Sequence, residues 1–64
     1  MVKTMKKHKY LYQGPVFNGD VIYCIVKEFT SAYTQAQALL FLQRRISKEK
    51  GLEVWLDSLY IRRI

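Results

Sequence analysis

Apolar side chains mark three β-like runs and one helical run along the chain. Residues 9–17 carry Tyr10, Leu11, Tyr12, Val16 and Phe17, all residue types that suit a pleated surface. Gly14-Pro15 interrupts the run, and a proline has no N–H to give to a ladder, so a bulge or an edge position is expected there. Asn18-Gly19 tolerates positive φ between two β-rich runs and predicts a two-residue hairpin turn. The second strand then covers residues 20–30. With that turn Phe17 opposes Asp20, Tyr12 opposes Ile25, Leu11 opposes Val26, and Lys9 faces Glu28 as a favourable cross-strand pair. A bulge at Gly14 would shift the outer pairs by one.

Thr34-Gln35-Ala36-Gln37 fits a capping box, with Thr34 as N-cap and Gln37 at the third helical position. The helix runs from Gln35 to Lys50. Gly51 suits the left-handed residue after a helix, and Lys48 and Lys50 complement the dipole at its end. At 100° per residue Ala36, Leu39, Leu42, Gln43 and Ile46 share one side with Leu40 at the margin, whereas Gln37, Arg44, Arg45 and Lys48 lie opposite. Phe41 falls among the polar residues, an exposed apolar position that the amphipathic pattern does not explain. Residues 52–62 form a third strand, with a bulge at Asp57-Ser58. The order is ββαβ, which predicts an α+β fold: one domain over 1–64, frayed over 1–8, with a three-stranded sheet and one helix packed on one face. The strand order is 2-1-3, the third strand antiparallel beside the first and the helix a right-handed crossover.

The second strand alternates Val21, Tyr23, Ile25, Phe29 with Ile22, Cys24, Val26, Thr30, and both sets are largely apolar. One helix covers one face, and a solvated face normally reads polar. Glu53 and Asp57 bracket Trp55, which argues that Trp55 points away from the core. Ile22, Cys24, Val26, Leu11, Val54 and Leu56 are then assigned to the helix side. Tyr10, Tyr12, Tyr23, Ile25 and Trp55 form an aromatic outer face, a candidate interaction surface. The opposite phase, with the faces exchanged, is the alternative.

Composition narrows the chemistry. The chain has 64 residues, half of them hydrophobic, and 11 Lys and Arg against five Asp and Glu, a formal charge of +6. A domain this small buries only about 60% of its unfolded surface and usually needs a staple or a partner. His8 and Cys24 are the sole histidine and cysteine, so neither a disulfide within the chain nor a structural zinc set is available. Cys24 reads as a small core hydrophobe. His8, beside Lys7 and Lys9, lacks an orienting partner and reads as a surface residue. There is no glycine-rich phosphate loop, CxxC, HExxH or nucleophile elbow. No enzyme activity, cofactor, metal or small-molecule substrate is expected. No run of about 18 apolar residues predicts a membrane span. The basic stretch Met1 to Lys9 lacks a following apolar segment, so no signal peptide is expected. A lone apolar-flanked cysteine without an export signal points to the cytoplasm.

The basic balance fits nucleic acid or an anionic surface as well as mere solubility. Lys7, Lys9, Lys27, Arg62 and Arg63 flank the aromatic face and could reach phosphates while its rings stack on unpaired bases. Arg44, Arg45 and Lys48 form a second basic patch, read as a solvated helix face, which Phe41 tilts towards a contact site. A single helix rules out a helix-turn-helix.

The run Tyr10-Leu11-Tyr12-Gln13-Gly14-Pro15-Val16, then Ala32, Gln35-Ala36 and Ala38-Leu39, then Lys48-Glu49-Lys50-Gly51-Leu52, resembles small proteins of Gram-positive phages and integrative conjugative elements. That group carries no activity to transfer. Strand, strand, Ala32, Ala36, Ala38-Leu39, helix, strand is similar in arrangement to the archaeal ribosomal protein of the LX type, a resemblance that implies rRNA binding. The reading favoured is a non-enzymatic accessory protein of a phage or mobile element, acting through protein contacts as a homodimer. The alternative is an RNA or single-stranded DNA binder using the aromatic face and basic flanks.

Overall fold

A computed structural model describes residues 6–64. Of the expected frayed start, residues 1–5 lie outside the described residues, and His8 already belongs to a strand. The fold is α+β: β1 (His8–Asn18), β2 (Val21–Ala32), α1 (Gln35–Lys50), β3 (Trp55–Leu56), a 3₁₀ turn (Ser58–Tyr60) and β4 (Ile61–Arg63). The sheet is antiparallel in the order β2-β1-β3, and β4 pairs the same edge of β1 further along.

The helix has the expected bounds because local chemistry sets them. The Thr34 side chain accepts from the Gln37 N–H at 3.1 Å, and the Gln37 carboxamide accepts from the Tyr33 N–H at 2.8 Å. At the other end Gly51 is left-handed (φ 70°), and the N–H groups of Gly51 and Leu52 both donate to the Ser47 carbonyl. The buried stripe differs from the projected one. Ala38, Leu42 and Ile46 face the sheet, Leu39 and Gln43 flank them, and Ala36 is exposed. The Gln43 carboxamide accepts from the Leu56 N–H at 3.2 Å, which ties the helix to β3 and turns its face accordingly.

The expected third strand is split. Asp57 does not bulge: its carboxylate accepts from the Leu59 N–H at 3.0 Å and starts the 3₁₀ turn. β3 pairs Val16 and Phe17, β4 pairs Tyr10–Tyr12, and Gln13–Pro15 stays unpaired on that edge. The Ile64 N–H donates to the Lys9 carbonyl, so alternation directs the backbone groups of Lys9, Leu11, Gln13 and Pro15 towards β3 and β4. Pro15, without an N–H, therefore sits at the gap. Its register with β2 runs unbroken, so of the two alternatives expected at Gly14-Pro15, a bulge or an edge position, the second holds locally.

The hairpin register is the main correction. The turn is Gly19-Asp20, with Asn18 opposite Val21 and Gly19 at φ 61°. The irregularity falls between Val16 and Phe17, where Val16 faces Cys24 but Phe17 faces Ile22, leaving Tyr23 as an extra residue. Beyond it Tyr12 opposes Glu28 instead of Ile25, Leu11 opposes Phe29, and Lys9 opposes Ser31 instead of Glu28. The displacement is odd, so it exchanges the faces of β1. Tyr10, Tyr12 and Val16 enter the core with Ala32, Ala38, Leu42, Ile46, Val54, Leu56 and Ile61, while Cys24 and Val26 pack at its margin. Leu11 is buried on the other side of the sheet, and Ile22, expected in the core, is exposed.

Candidate interaction surface

Cross-strand partners share a face, so the register defines the side of the sheet turned away from the helix. Along it lie the pairs Leu11–Phe29, Gln13–Lys27, Pro15–Ile25 and Phe17–Ile22. At the hairpin end the Phe17 and Trp55 rings stack at 4.3 Å between centroids and 15° between planes. The Trp55 indole N–H donates to the Gly19 carbonyl at 3.1 Å, and the Asn18 carboxamide donates to the Glu53 carbonyl at 2.7 Å. These two bonds bind the turn to the segment before β3. Ile22, Tyr23, Ile25, Phe29 and Trp55 are all exposed, Ile25 the most at 75%.

Of the aromatic face expected from the sequence, the structure keeps Tyr23, Ile25 and Trp55 accessible and buries Tyr10 (5% exposed) and Tyr12 (0%). Tyr12 instead serves the gap in the third strand. Its hydroxyl donates to the Pro15 carbonyl and accepts from the Asp57 N–H at 3.2 Å, in place of a ladder rung. Burial pushes its phenol above the ordinary value; the Asp57 N–H opposes the rise, and the Asp57 charge and Tyr60 add to it. The apolar members that sequence reasoning missed are Phe17, Ile22 and Phe29. Their signal was present in the two-sided apolar pattern of β2, but the face assignment depended on the register.

The basic candidates do not form one patch. Lys27 and Arg62 lie on the open side opposite Gln13 and Leu11. Lys9, two residues before Leu11 on the same face, is exposed there too, Arg63 is exposed opposite Tyr10, and the Lys7 ammonium lies 5.7 Å from the Tyr33 ring centroid. Arg44 and Lys48 line an open groove of about 780 Å³ between the second half of α1 and residues 51–55, and Trp55 forms part of its wall. Arg45 parts from them. Its guanidinium reaches Glu28 at 2.7 Å and the Phe29 carbonyl at 3.2 Å on β2. Both partners are solvent-exposed, so the ion pair contributes about 0–1 kcal/mol. Phe41 is exposed on the outer helix face.

Among the described residues no group of three or more His, Cys, Asp and Glu side chains is placed to hold a metal ion, and no helix is long and apolar enough to cross a membrane. Fold and surface define a small α+β protein whose sheet is covered by a helix on one side only. Comparison with protein-family models, curated proteins and solved structures finds no match.

Proposed function

We propose that this chain is a non-enzymatic protein-contact module that self-associates as a homodimer, using the side of the sheet opposite the helix. The observation that carries the reading is the exposed apolar set Ile22, Ile25, Phe29 and Trp55 on that side, with the half-buried Phe17 stacked on Trp55. Large apolar side chains exposed together on one face mark contact sites, even with Lys27 among them, and a small core gains most from a partner. The resemblance to phage and mobile-element proteins suggests an accessory protein of that setting, the lone cysteine a cytoplasmic one, and the open side a protein partner in place of a small-molecule substrate. Sedimentation over a range of concentrations tests it. The wild type gives a mass that rises towards twice that of one chain, and Phe29→Arg, a charge on the open side, holds the protein at one chain. A wild type of single-chain mass at every concentration overturns the reading.

A second reading, nucleic-acid binding, is favoured by one observation: Arg44, Lys48 and Trp55 line a single groove. It predicts binding of a short single-stranded oligonucleotide that weakens steeply with salt and is lost on Arg44→Glu with Lys48→Glu. Binding unchanged by that pair of substitutions removes the groove from consideration.

A further inference from the structure

β2 is an edge strand of twelve residues, and among the described residues no strand pairs its outer side. The direction of its backbone groups follows from bonds elsewhere. Lys9 turns its carbonyl to Ile64, away from β2, so its partner Ser31 turns its own N–H and C=O outward, and alternation extends this to Phe29, Lys27 and Ile25. The Arg45 guanidinium on the Phe29 carbonyl agrees with that phase. Arg45 thus caps the edge at Phe29, and the irregularity at Tyr23 ends it on the other side. Between these two points Ile25 and Lys27 offer uncapped N–H and C=O groups to solvent. Natural edge strands are normally blunted by charge, proline or a cover. Val21–Val26 contains no charged residue and no proline, Lys27 is the one charge at the uncapped positions, and Ile25 is the most exposed of the large hydrophobic residues of β2.

We infer that the outer edge of β2 pairs antiparallel with the same edge of a second copy, about a two-fold axis at Val26. The inference rests on the self-association proposed above but moves its seam from the open side to the edge of β2, beside that side. A second copy is the occupant because the free edge is self-complementary. In this register Ile25 of each copy forms a hydrogen-bonded pair with Lys27 of the other, so every uncapped outward group between Arg45 and the Tyr23 irregularity gains a partner. Val26 meets its own counterpart in a non-hydrogen-bonded pair, with α-carbons about 4.5 Å apart. Centring at Lys27 would oppose two ammonium groups on a chain of net charge +6. Pairing about Val26 sets each lysine beside an isoleucine and keeps the Glu28–Arg45 pair of each copy intact. The two open apolar sides then lie side by side on one continuous sheet.

Two variants test it by sedimentation and by oxidative cross-linking. Ile25→Pro removes an N–H that points outward, so the hairpin keeps its ladder to β1 while the seam is blocked. The expected result is a folded protein of single-chain mass under conditions where the wild type is twice that mass. A wild type and a folded Ile25→Pro that are both dimeric overturn edge pairing and leave the open-side contact standing. A monomeric wild type overturns the inference together with the reading on which it rests. Should Ile25→Pro not fold, Val26→Cys with Cys24→Ser decides. The two-fold pair lies within disulfide range, so air oxidation gives a covalent dimer, while Cys24 in the wild type, paired with Glu28 of the other copy, gives none. A dimeric Val26→Cys protein that stays uncross-linked overturns the inference.

Discussion

The Tyr60 ring lies against Gly14, so that a methyl group added at Gly14 would stand 2.6 Å from the ring's Cγ. The contact explains a glycine in mid-strand, where its flexibility has a cost. β3 and β4 leave Gln13–Pro15 unpaired, and the 57–60 segment covers that gap by laying Tyr60 over it. Gly14→Ala is therefore expected to destabilise the fold by about 1–3 kcal/mol through overpacking. Urea unfolding measures the loss, and a Tyr60→Gly background removes most of it. An equal loss in both backgrounds would assign the cost to the strand itself.

The Tyr12 hydroxyl bridges the same gap from the side on which Tyr60 lies, between the Pro15 carbonyl and the Asp57 N–H, and the two rings meet edge to face. Tyr12→Phe leaves both backbone groups without that partner and is expected to cost about 1–3 kcal/mol. The pH dependence has a definite sign. The folded-state pKa is raised above the ordinary 10.0, so the phenol is neutral in both states below that value. As pH rises beyond it the unfolded chain ionises first, and stability falls through the folded pKa. Denaturant midpoints measured from neutral to strongly alkaline pH should fall less steeply in Tyr12→Phe than in the wild type. Parallel curves would exclude this hydroxyl as the source.

Two leucines of one helix should respond very differently to truncation. Leu42 is fully buried against the sheet, and Leu42→Ala is expected to cost about 2–5 kcal/mol from lost burial and the cavity left behind. Leu40 is 42% exposed, and Leu40→Ala should stay within about 0.5 kcal/mol. Thermal unfolding of the pair checks the observed helix face. Comparable losses would indicate a helix rotated towards the projected one.

The helix ends carry measurable shares of stability. Thr34→Ala removes the acceptor for the Gln37 N–H and should cost about 1 kcal/mol. Gly51→Ala forces a side chain onto a left-handed residue with open space around it, at about 1–2 kcal/mol of backbone strain alone. The sites are separate, so the double variant should show the sum of the two losses in chemical denaturation. A Gly51→Ala loss near zero would mean that the helix terminates differently.

The helix bounds could be read from the residues because they depend on neighbours in the chain. Thr34, Gln37 and Gly51 act through bonds spanning a few residues, and Tyr33 and Ser47 complete them. Strand order was legible for a similar reason: a hairpin followed by a helix leaves the open edge of β1 as the place for the last strand. The exposed Trp55 followed from the two acidic neighbours around it. The faces of β1 were not legible in this way. They turn on where the hairpin reverses and on one extra residue at Tyr23. Bonds from afar hold the hairpin end: Asn18 is tied to Glu53, and Gly19 to Trp55. A shift of register by an odd number of residues costs little in local propensity yet exchanges every side chain between core and solvent. Both faces of β2 are largely apolar, and the polar residues it has fall on both, Lys27 on one and Glu28 and Thr30 on the other, so they did not mark the difference. Contacts between residues distant in the chain chose the register, and with it Tyr10 and Tyr12 for the core, Ile25 and Phe29 for the open side, and the uncapped edge at Ile25 and Lys27.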